Sequence, residues 1–109
     1  MSKPEFAFLF RATRALAPEE LPRRNAAARE WALARRAEGS LQSASPLEDE
    51  GFTIGHEGVT PGAVEPPVAS VLVLQADDLQ AAVALAKGHP GMAFGTQIEV
   101  RPLKAVAPR

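Results

Sequence analysis

This chain of 109 residues has no cysteine, and that absence removes disulfide staples, thiol nucleophiles and thiolate metal sites at once. It also suits a reducing compartment, so the expected location is the cytoplasm. An excess of one charge is missing too, with 12 Lys and Arg against 13 Asp and Glu. Domains that read a phosphate backbone carry a clear basic excess, so no nucleic acid is expected as a partner. No apolar run approaches the roughly 20 residues of a membrane-spanning helix, so no membrane partner is expected either. The first apolar stretch, residues 6–10, is too short for the core of a signal peptide and ends at Arg11. Ser45 lacks a Gly-x-Ser-x-Gly elbow, and His56 has only the adjacent Glu57 near metal-ligand spacing. Neither a metal nor another cofactor is expected.

What is present organises as one domain over residues 1–109, long enough for a single core but leaving apolar faces that often find a partner subunit. Its last third is the clearest. Val71-Leu72-Val73-Leu74 is a β-branched apolar run, and Asp77 and Asp78 supply N-cap candidates for a following helix. Leu79, Ala82, Val83, Leu85 and Ala86 form a stripe at helical spacing that Gly88 and Pro90 stop. Gln97-Ile98-Glu99-Val100-Arg101 alternates as a strand with one buried face, and Pro102 closes it. At the front, residues 6–10 read as a strand apolar enough for burial on both faces.

A helix opens around Ala17-Pro18-Glu19-Glu20-Leu21, is interrupted by Pro22, and continues to Glu38 with Gly39 as its C′ residue. On that helix Ala27, Trp31 and Ala34 share a face, Arg29, Arg35 and Arg36 point away, and Glu30 falls inside the apolar sector, either paired with Arg23 or facing a polar pocket, against the plainer reading of a surface edge. The middle predicts a hairpin of residues 41–46 and 52–56 across the acidic turn Glu48-Asp49-Glu50-Gly51. Residues 57–67, with three prolines, read as a stiff loop. The order β, α, hairpin, β, α, β predicts a ferredoxin-like (split βαβ) α+β fold: an antiparallel sheet, two helices on one face and an added hairpin strand. Apolar residues on the sheet's other face predict a homodimer by sheet-on-sheet packing.

Phe8-Leu9-Phe10-Arg11, Pro18-Glu19-Glu20-Leu21, Trp31, Gly39, Pro46-Leu47 and Gly51 stand in an order that continues through Ala76-Asp77-Asp78-Leu79, Ala82-Val83 and Ala86-Lys87-Gly88 to Pro90, Gly95 and Ile98-Glu99-Val100-Arg101-Pro102-Leu103. Together they resemble the YCII-related proteins, in particular the DGPF-like subgroup, over nearly the whole chain. The resemblance implies a dimeric α+β barrel of ferredoxin-like protomers. Two departures bear on chemistry. Gly58-Val59-Thr60-Pro61 stands where the subgroup has Asp-Gly-Pro-Phe, and Ala26, Ala27 and Ala28 occupy the region of the first-helix histidine. His89 replaces the aspartate before Pro90, so the family's His–Asp acid/base pair does not transfer.

The remaining chemical candidates are few. His89, held between Gly88 and Pro90, is the catalytic candidate, since an imidazole can exchange protons at neutral pH; an exposed loop His or helix cap is the plainer reading. Arg11 and Arg14 follow the first strand and are ligand-binding candidates as carboxylate forks, against the plainer reading of pairing with Glu19 or Glu20. Ser45 is a possible ligand donor. Trp31 reads as a core or dimer anchor, and Arg101 as an outward member of a cross-strand charge pair.

Three functions fit these residues. One is binding of a small organic acid in a cleft between helices and sheet lined by Arg11, Ser45 and His89. Another is cofactor-free isomerase or lyase chemistry with His89 as acid/base. The last is a non-catalytic accessory role in a regulatory system, docking partners through residues 57–67.

Overall fold

The alternation Phe6-Ala7-Phe8-Leu9-Phe10 places three phenylalanines on one side of a strand, and that strand becomes the centre of the fold. A computed structural model describes residues 3–104. Its elements are β1 (Glu5–Ala12), α1 (Glu20–Ala37), β2 (Leu41–Pro46), β3 (Phe52–Gly55), β4 (Gly58–Pro61), β5 (Val68–Gln75), α2 (Leu79–Lys87), a 3₁₀ helix (Pro90–Phe94) and β6 (Thr96–Pro102). The main sheet has the order β2-β5-β1-β6, and every neighbouring pair is antiparallel. Strands β1 and β2 are therefore parallel with β5 between them, as are β5 and β6 with β1 between them. These two interleaved split βαβ units make the ferredoxin-like α+β architecture.

Helix α1 starts at Glu20 and runs through Pro22 without interruption. The expectation of a break fails because Pro22 lies in the first turn, where a backbone N–H has no intrahelical acceptor and none is lost. At the other end Gly39 takes φ +89°. The Ser40 N–H reaches the Arg35 carbonyl and the Gly39 N–H the Arg36 carbonyl, each at 3.0 Å, which is a Schellman stop that a Cβ at Gly39 would strain. Helix α2 is capped as its sequence predicts, with the Asp78 carboxylate accepting from the Ala81 N–H at 2.8 Å.

The hairpin differs from expectation. Strand β2 does not pair with β3; it joins the main sheet beside β5, while β3 pairs with β4 as a separate two-stranded sheet. Five residues separate β2 from β3, but only His56 and Glu57 separate β3 from β4, and the tighter connection wins. Part of the expected loop over residues 57–67 is thus strand, with its three prolines at or beyond the end of β4. Between residues 65 and 66 the peptide bond is cis.

The core gathers on the helix side of the sheet. Phe6, Phe8 and Phe10 face Leu72, Leu74, Leu41, Trp31, Ala82 and Ala86, with Ile98 and Val100 packed against them. On the opposite side Ala7, Leu9, Val71 and Val73 are only half-buried. No helix among the described residues is long and apolar enough to cross a membrane.

Candidate functional site

Two local rules place His89. Pro90 disfavours helical backbone in the residue before it, and His89 is extended at φ −73° and ψ 132°. The same geometry makes it the N-cap of the 3₁₀ helix, and its Nδ1 accepts the Gly91 N–H at 2.9 Å. Gly91 is required there, because a Cβ on it would lie 2.6 Å from the Thr96 hydroxyl and 2.9 Å from His89 Nδ1. The cap fixes the tautomer: with Nδ1 accepting, the proton of the neutral ring is on Nε2.

The imidazole is 7% exposed and stands edge-on between two aromatic rings, with centroids 4.8 Å from Phe10 and 4.7 Å from Trp31. Burial first, and the positive charge of Arg24 second, push its pKa down from 6.5 to about 4. At neutral pH the ring is therefore uncharged. With Nδ1 committed and a weakly basic conjugate pair, it is poorly suited to shuttle protons at neutral pH and well suited to donate a hydrogen bond from Nε2.

His89 lies at the wall of a cleft of about 460 Å³ between α1 and the sheet. Phe10, Trp31 and Leu72 give it an apolar interior, and Arg24, Asn25 and Arg29 bring polar groups from α1. Arg24 donates through Nε to Asn25 Oδ1 at 2.9 Å, which leaves the rest of its guanidinium available. Among the described residues, neither Arg24 nor Arg29 has a carboxylate within ion-pair distance. The Trp31 indole N–H is buried without an acceptor among the described residues, a defect that typically costs about 1–3 kcal/mol.

Of the residues singled out from sequence, His89 and Arg11 line the cleft, and Ser45 and Arg14 do not. Arg11 contributes there, but its guanidinium is engaged elsewhere: it donates to the Pro66 carbonyl at 2.8 Å and meets Glu99 at 3.4 Å. Glu99 pairs in register with Leu9, so the Arg11 head lies toward the open side of the sheet. Ser45 pairs with Val71 and shares that open side, because side chains directly opposite one another point the same way. Arg14 is held by Glu20 through two contacts of 3.0 and 3.1 Å. That bond first, and the Ala17 N–H second, hold the Glu20 carboxyl down at about 2. His56 is exposed at the tip of the β3–β4 hairpin, and no group of three or more His, Asp or Glu among the described residues is arranged to hold a metal.

The residues that sequence reasoning missed are Arg24 and Asn25, and Arg29, expected to point away, lines the cleft with them. Their inner neighbours run Arg24, Ala28, Trp31, Arg35, a spacing of four, three and four that marks one helix face. The signal was obscured because Trp31 is the one large apolar residue on that stripe, beside the half-buried arginines Arg24 and Arg35. Arg35, expected to point away, places its guanidinium 5.7 Å over the Trp31 ring. Glu30 is exposed, in keeping with a surface-edge position. Compared with family models and with curated proteins, the sequence matches none.

Proposed function

We propose that the protein binds a small organic acid with a flat apolar body in the cleft between α1 and the sheet. The observation that carries this reading is the pairing of an apolar interior with two guanidinium groups, Arg24 and Arg29, that have no carboxylate partner among the described residues. An apolar pocket with a few convergent polar groups is the usual form of a small-molecule site, and a planar guanidinium matches a carboxylate with two parallel hydrogen bonds. His89 adds a neutral Nε2–H donor deep in the wall. A depressed pKa makes it a positioning donor more readily than an acid or base, so any isomerase or lyase chemistry is weak beside binding. The reading includes membership of the YCII-related group, a cytoplasmic location and a homodimer in which two open sheet faces meet.

Trp31 is the single tryptophan of the chain and lines the cleft, so its fluorescence reports occupancy directly. Titration with benzoate, phenylacetate and short aliphatic acids is expected to give a saturable change. The double variant Arg24→Gln, Arg29→Gln is expected to weaken it by about tenfold or more, the size of a lost charge-assisted hydrogen bond. No saturable change with any carboxylate, or equal binding by the double variant, overturns the proposal.

A further inference from the structure

The cleft between α1 and the sheet has two unlike ends. At its mouth Asn25 and Arg29 are exposed and Arg24 is half-buried, whereas at its closed end Trp31 and His89 are buried. Its charged lining residues are Arg11, Arg24 and Arg29, with no Asp or Glu among the described residues. The lining therefore calls for acceptors.

The closed end is short of acceptors of its own. The contact from the Gly91 N–H to Nδ1 is the one hydrogen bond of the His89 ring among the described residues, so the Nε2–H is a donor without a partner. The Trp31 indole N–H, on a ring 4.7 Å away between centroids, is buried without an acceptor as well. Buried donors are normally paired. Since His89 is 7% exposed and that remnant faces the cleft it lines, the partner of its Nε2–H is what enters there.

The distance between the ends limits the ligand. Arg24 stands two turns before Trp31 on α1, about 10 Å along the axis at 1.5 Å per residue. Arg29 leans back toward Asn25, because helical side chains tilt to the N-terminus. A six-membered ring with substituents on opposite carbons, and a hydrogen bond of about 3 Å at each end, spans a gap of that order. A short aliphatic acid reaches one end only.

We infer that the ligand is a rigid aromatic acid with a second oxygen acceptor opposite its carboxylate. The carboxylate lies against Arg24 and Arg29 at the mouth, and a carbonyl oxygen across the ring accepts the His89 Nε2–H at the closed end. His89 is then the residue that sets specificity. This deepens the organic-acid reading above and depends on it. An amine in the second place is rejected, since it would bring a donor to a donor.

The matched probes are 4-acetylbenzoate and 4-isopropenylbenzoate, which share a shape and differ by the acceptor oxygen. Calorimetric titration of the full chain is expected to show the acetyl acid binding about three- to tenfold more tightly, the size of one net hydrogen bond. In His89→Asn, which keeps an acceptor for the Gly91 N–H and lacks the ring donor, the two acids are expected to bind alike. A second readout needs no variant: the His89 Nε2–H proton resonance of the parent protein is expected to move downfield with 4-acetylbenzoate and not with the isopropenyl acid. Equal affinity of the two acids, with that proton unmoved, overturns the second acceptor and leaves the organic-acid reading standing. A preference for the acetyl acid that survives in folded His89→Asn overturns the role of His89. No binding of either acid overturns both readings.

Discussion

The two faces of one strand have opposite fates here. Along β1, Phe6, Phe8 and Phe10 are buried beneath α1 and α2, while Ala7 and Leu9, one residue away in each case, remain half-exposed. The alternation is the same on both sides; what differs is the cover. On the helix side the cover is intramolecular, and where it is incomplete, between α1 and the first turn after His89, it leaves a cleft with polar groups. On the open side and on the β3–β4 arm no element among the described residues supplies cover. The first face accounts for the fold and the candidate site, and the second points outward to association.

The largest expected contrast comes from neighbouring residues. Phe8 is fully buried at 0% exposure, and Phe8→Ala is expected to lose about 3–5 kcal/mol to lost burial and a cavity. Leu9→Ala, on the open side, is expected to lose about 1 kcal/mol or less at concentrations where the chain is monomeric. Denaturant unfolding measures both, and equal losses would break the distinction between the faces.

The pH dependence of the helix side is next. The folded pKa of His89, about 4, lies below its ordinary value of 6.5, so the unfolded chain takes up the proton first. Its contribution is complete above about pH 6.5, declines as pH falls, and is gone near pH 4, amounting to at most about 3 kcal/mol. In His89→Asn, which keeps a side-chain acceptor for the Gly91 N–H, that slope is expected to vanish from unfolding curves taken across the range. A slope unchanged in the variant would assign it to other groups.

Gly91→Ala sharpens the same point by geometry. Its methyl group would meet Thr96 and the His89 ring at well under van der Waals distance, so a loss of about 1–3 kcal/mol is expected. The Trp31 fluorescence should shift as the imidazole moves, and a variant as stable as the parent would mean that the cap is not rigid. The smallest effect is expected on the arm. Val59→Ser is predicted to change monomer stability by no more than about 0.5 kcal/mol, because the Val59 side chain is exposed. A larger loss would show that the arm is packed.

Much of the fold was legible because its signals were local. Asp78 caps α2, Gly39 ends α1 and the alternation over residues 97–101 marks β6; each depends on neighbours within a few positions. The hairpin was misjudged because strand pairing is a long-range choice. Strand β2 carries a single buried residue, Leu41, so its own pattern does not reveal that its partner is β5, some thirty positions on. His89 could be singled out from Gly88 and Pro90, but its burial could not, since the covering rings come from β1 and α1. Arg24 and Arg29 were hidden by their type: an arginine on an Ala-rich helix reads as a solvated face unless the opposing wall is known. Arg14 and Ser45 looked equally plausible from sequence, and only strand register and the Glu20 contact separate them from Arg11.

The most direct test of the cleft as a carboxylate site is a nitrogen-15 imidazole spectrum of the intact protein, which holds two histidines. His89 is predicted to show the neutral Nε2–H tautomer from about pH 5 to 8, with resonances that move saturably as benzoate is added while those of His56 stay fixed. A His89 ring that titrates near its ordinary value, or that stays unmoved at saturating benzoate, would contradict the account.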